Sequence, residues 1–113
     1  MSFNIYGIMV LSRIEDNNLR RAVEAKMKEQ DIKIDREGVL QLNELDVSGM
    51  NVENLNGIGL LRNLKKLIIK DNRIIDLSPI IELRKLEELY LTRSESVELS
   101  CLEGLTELKI IEA

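Results

Sequence analysis

Residues 64–74 read Leu-Lys-Lys-Leu-Ile-Ile-Lys-Asp-Asn-Arg-Ile, and the same apolar spacing returns when the chain is shifted against itself by 22 positions. Leu42, Leu64, Leu86 and Leu108 then share one column, followed by a column of Leu45, Leu67, Leu89 and Ile111 and another of Val47, Ile69 and Leu91. The later half of the unit repeats as well: Leu55, Leu77 and Leu99; Ile58, Ile80 and Leu102; Leu61, Leu83 and Leu105. A further column of Val52, Ile74 and Ser96 breaks only in its last member. One amphipathic helix also spaces apolar residues three and four apart, but it would not hold a 22-residue register over three copies without an insertion. The copies are 42–63, 64–85 and 86–107, with a partial fourth at 108–113, and 1–41 forms the segment in front of them.

Alternation within the unit predicts its local structure. The apolar pair at 67 and 69 points one way from a short strand and the residues between point the other way, so one row enters a core and one faces out. The outward rows predicted are Glu44, Asp46 and Ser48; Lys66, Ile68 and Lys70; Glu88, Tyr90 and Thr92; and Ile110 and Glu112. After each strand the chain has half a repeat in which to turn back. Asn72 suits that turn because its amide can bond backbone groups left unpaired there, although Met50 and Ser94 stand in its column in the flanking copies. Pro79, in the column of Gly57 and Cys101, has a fixed φ and no N–H, which places it on a short 3₁₀ or α return turn rather than in a strand.

The pattern LxxLxLxxNxI, intact as Leu64, Leu67, Ile69, Asn72 and Ile74, resembles the leucine-rich-repeat consensus from Leu42 onward, closest to bacterial internalin-like 22-residue repeats. The resemblance implies an α/β solenoid of short parallel strands with short return turns on its convex side. Such a stack needs a cover on its first repeat. Asp16, Asn17 and Asn18 offer N-cap side chains, and Leu19, Ala22, Val23 and Met27 then line one helical face while Arg20, Arg21, Glu24, Lys28 and Glu29 line the other, which predicts an amphipathic helix over 16–30. Asp35 is placed to cap a second, shorter turn running through Val39 and Leu40. Residues 14–55, with their Asn-Leu-Arg helix start and LxxLDxSG strand, resemble the N-terminal cap of internalin-like proteins.

Composition narrows the chemistry. With 113 residues, 44% hydrophobic and 32% charged, the chain fits one globular domain, and with only 3% aromatic residues its core must be filled by branched aliphatics. A net charge of −4 speaks against nucleic acid as partner. No His is present, which removes the commonest general base and zinc ligand, and Ser94, Ser96 and Ser100 have nothing to activate them. Gly57-Ile58-Gly59 lacks the residues of a phosphate cradle, so no cofactor is expected. Glu82, Glu87 and Glu88 imitate a carboxylate cluster, but the adjacent pair should face opposite ways. Arg62, Lys65, Lys66, Lys70 and Arg73 form a basic stretch that could grip a phosphate or an acidic protein, or belong to an ordinary charged repeat surface. Cys101 stands alone and fits a buried structural thiol or a reducing compartment. Residues 5–11 (IYGIMVL) are too short to cross a bilayer and follow no basic residue, so no membrane partner and a cytoplasmic location are expected, or a surface location if a leader has been removed.

The expectation is therefore a protein-binding module and no enzyme. Glu44, Asp46, Lys66, Ile68, Lys70, Glu88, Tyr90 and Thr92 should line its concave face, with Ile68 beside Tyr90 as a small apolar centre. The alternative is a self-associating unit or a fragment of a longer repeat protein. In that reading Leu108, Ile110 and Ile111 at the C-terminal edge pair two copies into a homodimer, unless Lys109 and Glu112 guard the edge.

Overall fold

The computed structural model describes residues 9–92 and 98–112. Residues 9–11 are helical, and Leu11 and Ile14 both enter the core, so this part of the N-terminal segment belongs to the fold. Helix α1 spans Asn17–Glu29 and buries Leu19, Val23 and Met27 on the face that the apolar spacing predicts. It starts where it does because Asp16, in extended conformation, accepts the N–H groups of Asn18 and Leu19 on one carboxylate oxygen, at 2.9 and 3.0 Å. Asp35 likewise receives the Gly38 N–H at 2.7 Å and introduces a 3₁₀ turn, Gly38–Gln41.

Four strands follow, β1 (Glu44–Asp46), β2 (Lys66–Ile68), β3 (Glu88–Leu91) and β4 (Lys109–Glu112), all parallel and side by side in chain order. The 3₁₀ turns Ile58–Leu60, Ser78–Glu82 and Ser100–Leu102 carry the chain back between them, and Pro79 lies in the first turn of the second, where a missing N–H costs nothing. Between the strand row and the return row the core is wholly aliphatic. The columns Leu42/Leu64/Leu86, Leu45/Leu67/Leu89 and Ile58/Ile80/Leu102 are all buried, and no polar or charged side chain is buried among the described residues. Each full Leu or Ile burial of this kind contributes about 1.5–3 kcal/mol, which is how a nearly non-aromatic chain builds a core.

Asn72 is the polar link between copies. Its amide NH₂ donates to the carbonyls of Val47, Ile69 and Lys70, and its Oδ1 accepts the Val52 N–H at 2.9 Å, so one side chain ties the turn of the second copy to that of the first. The cap is tied to the same turn from the other side. The second oxygen of Asp16 accepts the N–H groups of Glu53 (2.8 Å) and Asn54 (3.3 Å), Asn18 donates to the Asn51 carbonyl, and Asn56 donates to Glu15. Gly57 completes the junction. Its φ is +91°, and a Cβ there would lie 2.0 Å from the Arg13 carbonyl oxygen, so only glycine lets the N-terminal segment lie against the first return turn.

The fourth copy corrects one expectation. The return turn keeps the 22-residue spacing as far as Leu108, but β4 pairs Lys109 with Glu88, Ile110 with Leu89 and Ile111 with Tyr90, one residue earlier than the column alignment. The cause lies at the strand entrance. The N–H groups of Lys65 and Lys66 share the Asn43 carbonyl, and those of Glu87 and Glu88 share that of Lys65, so β2 and β3 each begin with one extra residue; at β4 Lys109 alone bonds Glu87. A slip of one residue exchanges the two faces of a strand. Ile110 therefore packs towards the core and Ile111 takes the outward place assigned to it. The same extra residue explains why Glu87 and Glu88 do not divide between core and solvent: Glu87 is exposed and Glu88 half-buried.

Candidate functional site

Register places the outward side chains in rows across the sheet. The first row is Glu44, Lys66, Glu88 and Lys109, of alternating charge; the second is Asp46, Ile68, Tyr90 and Ile111. Of the residues expected to line a binding face, Glu44, Asp46, Lys66, Ile68, Glu88 and Tyr90 stand in these outward rows, Glu44 and Asp46 exposed and the other four half-buried, while Lys70 and Thr92, also half-buried, follow the ends of β2 and β3. The slip at β4 adds Ile111, which alternation alone could not find. Ile68, Tyr90 and Ile111 thus stand side by side on three strands, about 10 Å from first to last at the usual strand spacing.

Polar contacts hold this row in place. Lys66 sits between Glu44, 3.8 Å away, and the face of the Tyr90 ring, 5.2 Å from its centroid, while the Tyr90 hydroxyl donates to Glu88 at 2.7 Å. That hydrogen bond, with burial and the charges of Glu88 and Glu44 behind it, pushes the Tyr90 phenol above its ordinary range. Asp46 is bonded by both the hydroxyl and the N–H of Ser48, and these bonds hold its carboxyl below the usual value against the effect of burial, with Lys26 and Lys66 adding to them. Thr92 is partly committed to the fold, since its hydroxyl oxygen accepts the Asp71 N–H at 2.8 Å.

The basic stretch is not one patch. Arg62 and Lys65 are exposed on the rim that precedes the strands, Lys66 is on the sheet, and Lys70 and Arg73 lie on the opposite rim. Arg84 and Lys85 join the first rim, in the columns of Arg62 and Asn63. Of the residues expected to mediate self-association, Leu108 and Ile110 pack against the core, leaving Ile111 on the outer face. Cys101 is half-buried, not buried, with its Sγ 3.5 Å from the Glu98 carbonyl, and desolvation raises its thiol pKa. Among the described residues no group of three or more His, Cys, Asp or Glu side chains is arranged to hold a metal ion, and no helix is long and apolar enough to cross a membrane.

Comparison of the whole fold with solved structures places an internalin, InlF, from Listeria monocytogenes beside it: TM-score 0.71 at 26% identity, over 90% of this chain and 31% of that one. The chain has an internalin-like leucine-rich-repeat fold. A second Listeria monocytogenes internalin, InlC2, shares the fold at a TM-score of 0.50 and 17% identity, covering 90% of this chain and 66% of that one. In sequence the solenoid is similar to U2 small nuclear ribonucleoprotein A′ of Homo sapiens and of Mus musculus, 38% identical to each over 71 residues, 61% of this chain. It spans only 28% of the length of those proteins. No protein-family profile matches.

Proposed function

We propose that this chain is a non-catalytic module that binds a partner protein through the outer face of its sheet. The observation that carries the reading is the register, which gathers Ile68, Tyr90 and Ile111 into one apolar row inside a border of charged side chains. An apolar centre with a polar rim is how protein interfaces are built, and tyrosine is prominent among the residues that dominate their binding energy. The ring is also ordered in advance by Lys66 and Glu88, which lowers the entropy lost on binding. Likeness to a ribonucleoprotein component and to internalins supports a role in assembly over one in catalysis. A photoreactive amino acid in place of Ile68 tests the reading, with Ile75, an exposed residue off the sheet, as control. Cross-linking in the native cell should yield a defined protein adduct from position 68 and not from 75. The same adducts from both positions, or none from 68, would reject the outer face as the binding surface.

A further inference from the structure

The first outward row alternates in sign across the sheet: Glu44 on β1, Lys66 on β2, Glu88 on β3 and Lys109 on β4. Its charges balance, and read from the opposite edge it is the same row with every sign reversed. A surface with that property is complementary to itself. Turning a second copy by 180° about a line parallel to the strands, midway between β2 and β3, lays Glu44 on Lys109 and Lys66 on Glu88, each pair occurring twice. The same rotation lays Ile68 on Tyr90 and Tyr90 on Ile68 beside the axis, with Ile111 and Asp46 opposed at the margins. On the rim before the strands, exposed Lys65 meets exposed Glu87. Arg62 and Arg84 meet like charge, but they stand further back on that rim, where water and salt screen them.

Other axes do worse. One over β2 sets Glu44 on Glu88 and Lys66 on itself, and one over β3 sets Lys66 on Lys109 and Glu88 on itself; an axis across the strands lays every charge of the row on its own copy. The rows are also fixed before docking, by Lys66 between Glu44 and the Tyr90 ring and by the hydrogen bond from Tyr90 to Glu88, which leaves the carboxylate its charge.

We propose that two copies of this chain associate through the outer face of the sheet, about a two-fold axis that runs parallel to the strands between β2 and β3. The apolar centre supplies affinity and the alternating row selects the register. Sheets packed face to face lie about 30° apart, an offset that the long Lys and Glu side chains at the ends of the row can span. The contact measures about 14 Å across the strands and about 7 Å between the two rows, smaller than a stable interface needs, so the dimer is weak and exchanging. It does not depend on the partner protein proposed above, which would compete for the same face.

Sedimentation equilibrium on the full chain up to about 1 mM tests the proposal, with a Kd expected on the order of 100 µM. Lys66→Glu and Glu88→Lys, each checked for folding by melting, should each weaken self-association about tenfold or more, because a two-fold contact counts every substitution twice. Mixed in equal amounts, the two variants should associate as the parent does, since the new acid of one faces the new base of the other. Both variants remain net negative, so overall attraction cannot mimic that restoration. Glu44→Lys with Lys109→Glu should give the same pattern at the ends of the row, and replaces the central pair if either of its variants fails to fold. A parent that stays monomeric at about 1 mM would overturn the dimer and leave the partner-binding face standing. Association that survives both single reversals, or that the mixture does not restore, would assign it to another surface, such as the edge of β4, and overturn the proposed axis.

Discussion

Replacing Asp16 should separate what holds helix α1 together from what holds it on the first repeat. One carboxylate oxygen takes the N–H groups of Asn18 and Leu19 and the other takes those of Glu53 and Asn54. Loss of an N-cap costs about 1 kcal/mol. The bond to Glu53 is short, but water can reach that exposed amide once the acceptor is gone, and the bond to Asn54 is long at 3.3 Å, so the second pair adds about 1 kcal/mol together. Asp16→Ala should therefore lower stability by about 2 kcal/mol, or about 8 °C in melting midpoint for a domain of this length. Asp16→Ser keeps a good cap but cannot reach the first repeat, and should lose about half as much. Burial works against ionisation of Asp16, yet the four amide donors prevail and hold its carboxyl below its ordinary 3.8. Its contribution is thus complete above that value and is lost as pH falls through the lower folded value, so the gap between parent and Asp16→Ala should close towards the acid end. Thermal melting followed by circular dichroism from neutral to acid pH reads both effects. An Ala variant that melts with the parent, or a gap that does not change with pH, would refute the double role.

Leu67 is fully buried between Leu45 and Leu89, so Leu67→Asp should cost more than about 4 kcal/mol and leave most of the chain unfolded in a urea titration. Gly57→Ala meets both a φ of +91° and the Arg13 carbonyl, whereas Gly49→Ala, at φ +64°, meets nothing within 4 Å. Gly49→Ala should cost about 1–2 kcal/mol for the left-handed backbone, and Gly57→Ala clearly more in the same denaturation assay. Asp76→Ala should leave the melting midpoint almost unchanged, because among the described residues its carboxylate bonds only Ser78, two residues away. Tyr90→Ala should abolish binding in calorimetry yet keep the fold, since the ring lies on the face turned away from the leucine columns.

Much of this was legible because the constraint repeats. Each aliphatic column must fill the same layer in every copy, so Leu64, Leu67 and Ile69 announce the strand and its buried face even without their neighbours. The cap helix was legible for a related reason: a one-sided apolar stripe behind Asp16 has to cover something. The slip at β4 was not, because Ile110 and Ile111 are adjacent and either one can fill the core position opposite Leu89. Whether a strand begins with one residue or two is decided by shared backbone bonds such as those of Lys65 and Lys66, which leave no mark on side-chain pattern. The row Ile68–Tyr90–Ile111 was therefore visible only in its first two members. Nor could local pattern show the second oxygen of Asp16 reaching Glu53, a contact 37 residues away along the chain.

The turn at 51–54 is gripped from two directions at neighbouring amides. The Val52 N–H is held by Asn72 from the second repeat and the Glu53 N–H by Asp16 from the cap. Exchange of these two protons with deuterated solvent would require the release of different neighbours. Val52 would report when the second repeat parts from the first, and Glu53 when the cap lifts. Two adjacent residues in one short loop thus form a built-in pair of clocks, from which the order of detachment along the solenoid can be timed without any label.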